Sequence, residues 1–515
     1  MKKQSRRLLG LCRRGDWGPA AELLKEVEAV VGGVASGERA ALLDCLTEPT
    51  TGNTLLMLAT IENKQEIISR LLAAGARAGV ANCEDYTALH FGAMYSREDT
   101  VSQLLAKKAD PGLAGGPSRQ NCLHLASART SGQSASVLEA LLQHCAKEAR
   151  LQVDGTGNIP LFCAIESGNK NVVRLLLGSE AARQVAALKE PVGDTAMHLA
   201  TRKRDSELVK VLVEAGAQVD VQNEEGQTPL HLACLYGCAD IVRVLFLARA
   251  TATITDKEDK APIYLAAERG HTTIVEFLID KFKASVFERS NEGSTLMHIA
   301  AQNGHPTTAT ALFERGVPLL MPNKFGERSI HTAAKAGHTS VLKAVIKKGE
   351  SVNALTGENM SALHIAVEHG QSRAVETLLG YGADVQMRGG KNDETALHIA
   401  ARIDEAKGER CTKQLVKSGA DPNAPMSDGR SAVHIAAAAG NLLVLRALLQ
   451  NGGDAQMSDR EGETALHKVV IIFIYFLLNN LHSRFAGIKE LPFQSGARAC
   501  TVYTRIHWPC YRVRQ

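Results

Sequence analysis

A short signature returns thirteen times along this chain at a nearly constant interval, and that regularity leaves little freedom in what the chain can fold into. Its fullest form is a Thr or Ser, two residues, a His, then an aliphatic residue and Ala. It reads TALHFG at Thr87, TAMHLA at Thr195, TPLHLA at Thr228, TLMHIA at Thr295 and SALHIA at Ser361. TALHIA at Thr395, SAVHIA at Ser431 and TALHKV at Thr464 continue the series. Degenerate copies begin at Thr54, Asn121, Ile159, Ala261 and Arg328. Successive spacings are 33, 34, 38, 36, 33, 33, 34, 33, 33, 34, 36 and 33 residues. A period held this long marks a stack of supersecondary units, each burying its apolar face against its neighbours. Aromatic residues make up only 4% of the chain. That is too few for several globular cores and enough for layers packed from small aliphatic side chains.

This pattern resembles the ankyrin repeat. The resemblance implies an all-α solenoid of stacked helix-turn-helix units, with a hairpin-like loop and two short antiparallel helices in each. The local chemistry agrees. Thr228 can cap a first helix through its hydroxyl, and Pro229 suits the first helical position, where its missing N–H has no intrahelical partner. Gly237 ends that helix, and Ile241, Val242, Val244 and Leu245 mark the apolar face of the second. In the repeat at Ser361, Leu378, Leu379, Gly382, Ala383 and Asp384 mark the exit, with Gly382 a left-handed cap before the next loop.

Three domains follow. Residues 1–50 read as a degenerate capping repeat, with Leu8 to Arg14 a first helix, Gly15 its stop, and Pro19 to Val27 a second helix turning Leu23 and Leu24 inward. Residues 51–468 hold about twelve repeats and the start of another. The long intervals after Asn121, Ile159 and Thr395 are expected to be loop insertions. Residues 469–515 form an aberrant non-repeat tail, carrying eight of the chain's 22 aromatic residues. The apolar run from Val469 to Leu478 is about half of a membrane span. The break suggests read-through into non-coding sequence or an incomplete gene model, with a genuine alternative terminus as the other reading.

Charge argues against a nucleic-acid partner. The formal net charge is +4, but the first 16 residues carry +5 and the last 47 another +5, leaving the middle at −6. No basic stripe able to track phosphates is left there. The basic start lacks the apolar core of a secretory signal. The eleven cysteines show no disulfide framework, and Cys12, Cys163 and Cys234 stand where the repeat takes small apolar residues, so reduced cytoplasmic thiols are expected.

No catalytic, cofactor-binding or metal-binding constellation is found. Ten of the 17 histidines hold the fourth motif position: His90, His124, His198, His231, His298, His331, His364, His398, His434 and His467. Eight of them have Thr or Ser three residues earlier. That spacing lets imidazole and hydroxyl bond one another at the helix start and leaves one ring nitrogen for neighbouring backbone, a structural role. His271, His305 and His338 are expected in loops. His364 and His369 are five apart, the wrong spacing for a helical metal pair, and Cys234 with Cys238 has no second ligand pair. Gly155 and Gly157 form a lone GxG, and Lys391 lacks the upstream Gly of a P-loop. The acidic junctions at Asn223–Glu225 and Asp256–Asp259 read as solvated loop tips. Partners are expected to be proteins, held by the concave helix face and by such tips.

Four non-consensus stretches carry a closer resemblance: Gly157 to Leu188, Asp280 to His305, Met321 to His338 and Ala374 to Arg402. In order and spacing, from about residue 8 to Lys468, they are similar to the cytoplasmic ankyrin array of NompC-like (TRPN) mechanotransduction channels. In that family a long repeat spring joins microtubules to a six-helix cation channel. The resemblance implies the cytoplasmic spring and its tether, with microtubules and sister arrays as partners, and not the pore. A freestanding cytosolic ankyrin adaptor or phosphatase-regulatory scaffold is the alternative.

Overall fold

A computed structural model of the protein describes residues 2–31, 43–44, 46–130, 132–178 and 182–470. The tail beyond residue 470, on which several expectations fall, lies outside them. The chain divides into two compact units, Met1–Thr356 and Gly357–Gln515. Each is all-α: among the described residues the only sheet is the antiparallel pair of Arg388–Gly389 with Glu394–Thr395.

In the first unit, helix pairs follow one another down the chain. The pair Pro229–Tyr236 and Ala239–Leu247 is representative. Pro at the first helical position starts the first helix, and Gly237, with φ 74°, ends it in the left-handed region. A Cβ there would come 2.5 Å from the imidazole of His271 in the next repeat, so both conformation and space demand glycine. The first helix is buried on every side through Cys234, because repeats pack against it before and behind. Its partner helix buries only Ile241, Val242 and Leu245, the stripe expected of a helix with one covered face. Val244, expected inward, is half-buried.

The same pairing recurs as Pro262–Glu268 with Thr272–Asp280, Leu296–Gln302 with Pro306–Glu314, and Ser329–Ala336 with Thr339–Lys347. In the second unit it recurs as Ala362–Glu368 with Ser372–Gly380 and Ala432–Ala439 with Leu442–Gln450. Near the N-terminus the helices run Lys2–Arg14 and Trp17–Val31, both longer than the sequence suggests. Gly15 separates them at φ 76°, and Leu23 and Leu24 are buried.

The three long intervals are accommodated in three ways. After Asn121 a 3-10 turn, Lys147–Arg150, fills the space. After Ile159 the added residues include a short helix, Ala182–Ala187, that buries Val185 and Ala186. After Thr395 there is no loop insertion: the second helix lengthens to Glu405–Lys417, 13 residues against nine in its neighbours. Asp404 caps it by accepting from the Lys407 amide. Gly408 lets it approach the first helix, since a Cβ there would lie 2.5 Å from the Ala400 carbonyl oxygen.

Candidate partner-binding surface

In six of the repeats the loop before the first helix is organised by a buried Asn or Asp five residues ahead of the cap. The Oδ1 of Asn223 accepts from the amides of Glu225 and Gln227, 3.1 and 2.9 Å away. Asp256 holds Glu258 and Lys260 in the same way, and Asn82, Asp154, Asn323 and Asp459 repeat the turn. The sequence reading placed Asn223 and Asp256 among solvated tips, whereas Asp256 is only 8% exposed. A fully buried loop backbone would strand its amides, and these short side chains supply the missing acceptors. The signal was present as a periodic Asn or Asp five residues before the motif. Successive tips are joined edge to edge, Lys257 N–H donating to Glu225 O at 3.1 Å and Lys324 N–H to Glu292 O at 3.0 Å.

The motif histidines lie just inside these loops. At His231, Nδ1 accepts from the Thr228 amide at 3.0 Å and sits 2.8 Å from the Thr228 hydroxyl. An N–H donor fixes Nδ1 as the unprotonated nitrogen, so Nε2 carries the hydrogen and donates to Lys260 O, 3.1 Å away in the next repeat. Thr87 with His90, Thr195 with His198 and Thr295 with His298 reproduce this. So do Ser361 with His364, Thr395 with His398 and Ser431 with His434. At His124 the neighbouring atom is Asn121 Oδ1, 2.7 Å from Nδ1, an acceptor where the other repeats carry a hydroxyl, and Nε2 again meets a carbonyl, that of Asn158. Thr464 and His467 make the local bond, but Thr464 is half-buried and His467 exposed. At Thr228 the hydroxyl therefore meets the imidazole, while at Thr54, Asn121 and Ser361 the cap side chain also accepts from the helix backbone. Burial pushes the imidazole pKa of His90, His124, His198, His231, His298, His331, His364 and His398 below the ordinary value, which favours the neutral ring.

A second histidine ladder lies where loops are expected. His271, His305 and His338 stand directly before second helices, as their caps. Each reaches back to the preceding repeat, Nε2 bonding Leu235 O, Glu268 O and Gln302 O at 3.3, 2.9 and 3.0 Å. The recurring Gly-His pair was the signal, because only a glycine leaves room for the next imidazole.

Other candidates for chemistry are occupied by packing. Burial raises the Cys12 thiol to about 11 and the Cys163 thiol to about 12, and raises that of Cys234, so none is a ready thiolate. Cys234 is buried and Cys238 half-buried. Asp459, Glu461 and Glu463 approach one another, but the Lys468 ammonium already bridges Asp459 and Glu463.

What remains outward is a row of unlike side chains. At the ends of first helices stand Arg202, Arg269, Gln302 and Lys335, and at the loop tips Glu224, Glu225, Lys257, Glu292 and Phe325. Some are held in place: Arg202 donates to buried Asp194 at 2.5 Å, and Asp194 accepts in turn from Asn223. The repeat framework thus uses its own polar groups internally and presents side chains that differ from layer to layer. That arrangement suits recognition of an extended partner.

Comparison with known proteins agrees with this architecture. A family model described as ankyrin repeats in three copies matches residues 27–115, 178–256, 244–323, 316–389 and 397–471, and a single-repeat model matches 156–185. These matches take in well over half of the sequence, and the chain belongs to the ankyrin-repeat family. Over 69 residues, 13% of the chain, it is 44% identical to the inactive serine/threonine-protein kinase TEX14 of Bos taurus, covering 4% of that protein. Over 141 residues, 27% of the chain, it is 33% identical to neurogenic locus notch homolog protein 1 of Mus musculus, covering 5% of it. The stretch shared with these relatives is thus about a twentieth of their length. Among the described residues no helix is long and apolar enough to cross a membrane.

Proposed function

We propose that this chain is a non-catalytic scaffold that binds and tethers other proteins, as the cytoplasmic spring portion of a mechanosensory cation channel. Membership of the ankyrin-repeat family supports the scaffold, because stacked repeats offer a long surface whose side chains vary independently of the fold. The observation that carries it here is the division of labour in each repeat. Cap, imidazole and loop Asx residues are spent on one another and on the next layer, while the exposed helix ends and tips are free to vary. The tether reading rests on the four non-consensus stretches and their order, and makes microtubules and sister arrays the partners. The motif residues from Thr87 and His90 to Ser431 and His434 are then structural, and residues 1–50 cap an array that runs to Lys468.

Co-sedimentation of the full chain with polymerised microtubules tests the tether. Saturable binding that weakens with salt is the expected result. A chain that stays in the supernatant at all microtubule concentrations would remove the channel-tether reading and favour a cytosolic adaptor.

A further inference from the structure

The outer face of two adjacent repeats departs from its neighbours at matched positions. Over five consecutive repeats of the first unit the second helix ends on Glu214, Leu247, Asp280, Glu314 and Lys347, so Leu247 alone of these five is uncharged. Leu247 is 79% exposed, the highest value among the large apolar side chains of the described residues. Beside it the rings of Phe246, Phe277 and Phe282 form a half-buried cluster, with centroids 5.1 to 6.2 Å apart.

The turns that follow these helices are unusual as well. Where Gly216, Gly316 and Gly349 take the left-handed conformation in other repeats, Arg249 takes it at φ 60° and Lys283 at φ 57°. A side chain is strained there, so these two repeats, like the one that places Lys108 at φ 60°, carry a cation in place of the easy residue. Arg249, Lys281 and Lys283 are exposed, and none forms a salt bridge among the described residues. The nearby carboxylates are held first by other arginines, although Asp280 also feels the charges of Lys283 and Lys281. Asp240 pairs with Arg243, and Glu276 and Asp280 both hold Arg315. An exposed leucine next in sequence to an aromatic cluster, with exposed cations outside any salt bridge on the same two repeats, is complementary to a segment that is apolar on one side and acidic on the other.

We infer that the outer face built from helices Ala239–Leu247 and Thr272–Asp280 is a docking surface for an acidic amphipathic peptide segment of a partner protein. Leu247 and the phenylalanine cluster take the apolar side chains, and Arg249, Lys281 and Lys283 take the carboxylates. The charges steer the encounter and fix the register, and the apolar contact sets the lifetime. The inference rests on the scaffold reading only in that the partner is a polypeptide. It does not depend on microtubules.

The test uses the full chain and a fluorescent peptide of about 16 residues, some four helical turns, with Glu on one face and Leu and Phe on the other. Fluorescence anisotropy should show salt-sensitive binding to the native chain. Arg249→Gly with Lys283→Gly should weaken it about tenfold or more, while leaving the unfolding midpoint unchanged or raised, because glycine relieves the left-handed turns. Leu247→Glu should weaken it similarly, and Glu214 and Glu314 show that the helix end accepts that residue. Lys324→Ala, on a loop tip, should bind as the native chain does. Equal binding by the glycine pair and the native chain, or no peptide binding at all, would overturn the surface. So would binding of phosphatidylserine vesicles in place of the peptide, since the occupant would then be a lipid surface. Microtubule co-sedimentation, scored separately on the same variants, distinguishes failure of this surface from failure of the tether.

Discussion

Replacing His231 with Ala is expected to loosen two repeats rather than one. The imidazole is fully buried and serves three groups: the Thr228 amide, the Thr228 hydroxyl and the Lys260 carbonyl of the following repeat. Ala leaves the amide and the carbonyl without their partner in a place that excludes water, at about 1–3 kcal/mol for each group left unsatisfied. The hydroxyl can rotate to its own helix backbone, as Ser361 does at 3.4 Å, and so adds little. Partial hydration of the vacated space recovers some of the cost, and the sum is about 2–4 kcal/mol. Because repeats unfold as coupled neighbours, a single global midpoint would dilute the effect. Amide hydrogen exchange is the appropriate assay. The amides of Pro229–Tyr236 and of the Asp256–Lys260 turn should both lose protection, while the second unit exchanges as before. Protection lost only in the mutated repeat, or a change below about 0.5 kcal/mol, would refute the claim that the ring joins layers. Partner binding measured where the array stays folded should not change.

Acid should destabilise the array through the same rings. Eight motif histidines have folded pKa values below the ordinary one, so below it the unfolded chain binds more protons than the folded chain. Their contribution is whole above about pH 6.5 and falls as pH drops from there, by up to about 1.4 kcal/mol per ring per pH unit, which circular dichroism melts between pH 7.5 and 5 would register. Glu350 works in the opposite sense. Its side chain is fully buried with one oxygen unpartnered and Arg328 3.4 Å away, and burial raises its pKa. Its folded form holds the proton more tightly, so stability falls as pH rises past the unfolded carboxyl value. Glu350→Gln should then raise the neutral-pH midpoint, Arg328 remaining partly hydrated, and a fall of more than about 1 kcal/mol would contradict this. Val242→Pro removes the amide that donates to Cys238 O and should cost about 3 kcal/mol or more in that helix, giving a multistep urea curve with both flanks still folded. One sharp transition by every probe would count against that. Gly408→Ala should destabilise the second unit measurably in urea, because the added methyl meets the Ala400 carbonyl oxygen.

Periodicity made the architecture legible because the repeat is local. A cap, a proline at the first helical position and a left-handed glycine act within about ten residues, so Thr228, Pro229 and Gly237 could be assigned from sequence alone. The pairing of Thr228 with His231 was equally accessible, since three residues of helix bring them together. What the imidazole does with its other nitrogen was open until the next layer was in place, because Lys260 is 29 residues away. For the same reason His271 read as a loop residue: its purpose is the carbonyl of Leu235, one repeat back. The 36-residue interval after Thr395 looked like a loop because length alone does not say where added residues go. Only the close approach at Gly408 shows that the helix absorbed them. Asp256 looked solvated as an acid among acids, and only the folded turn shows its oxygen directed inward. The sequence by itself determined the repeat, its helices and its caps, which depend on neighbours along the chain. The tertiary structure decided which polar groups are consumed between layers and which side chains, Leu247 and Arg249 among them, are left for a partner, because those outcomes depend on contacts one repeat away.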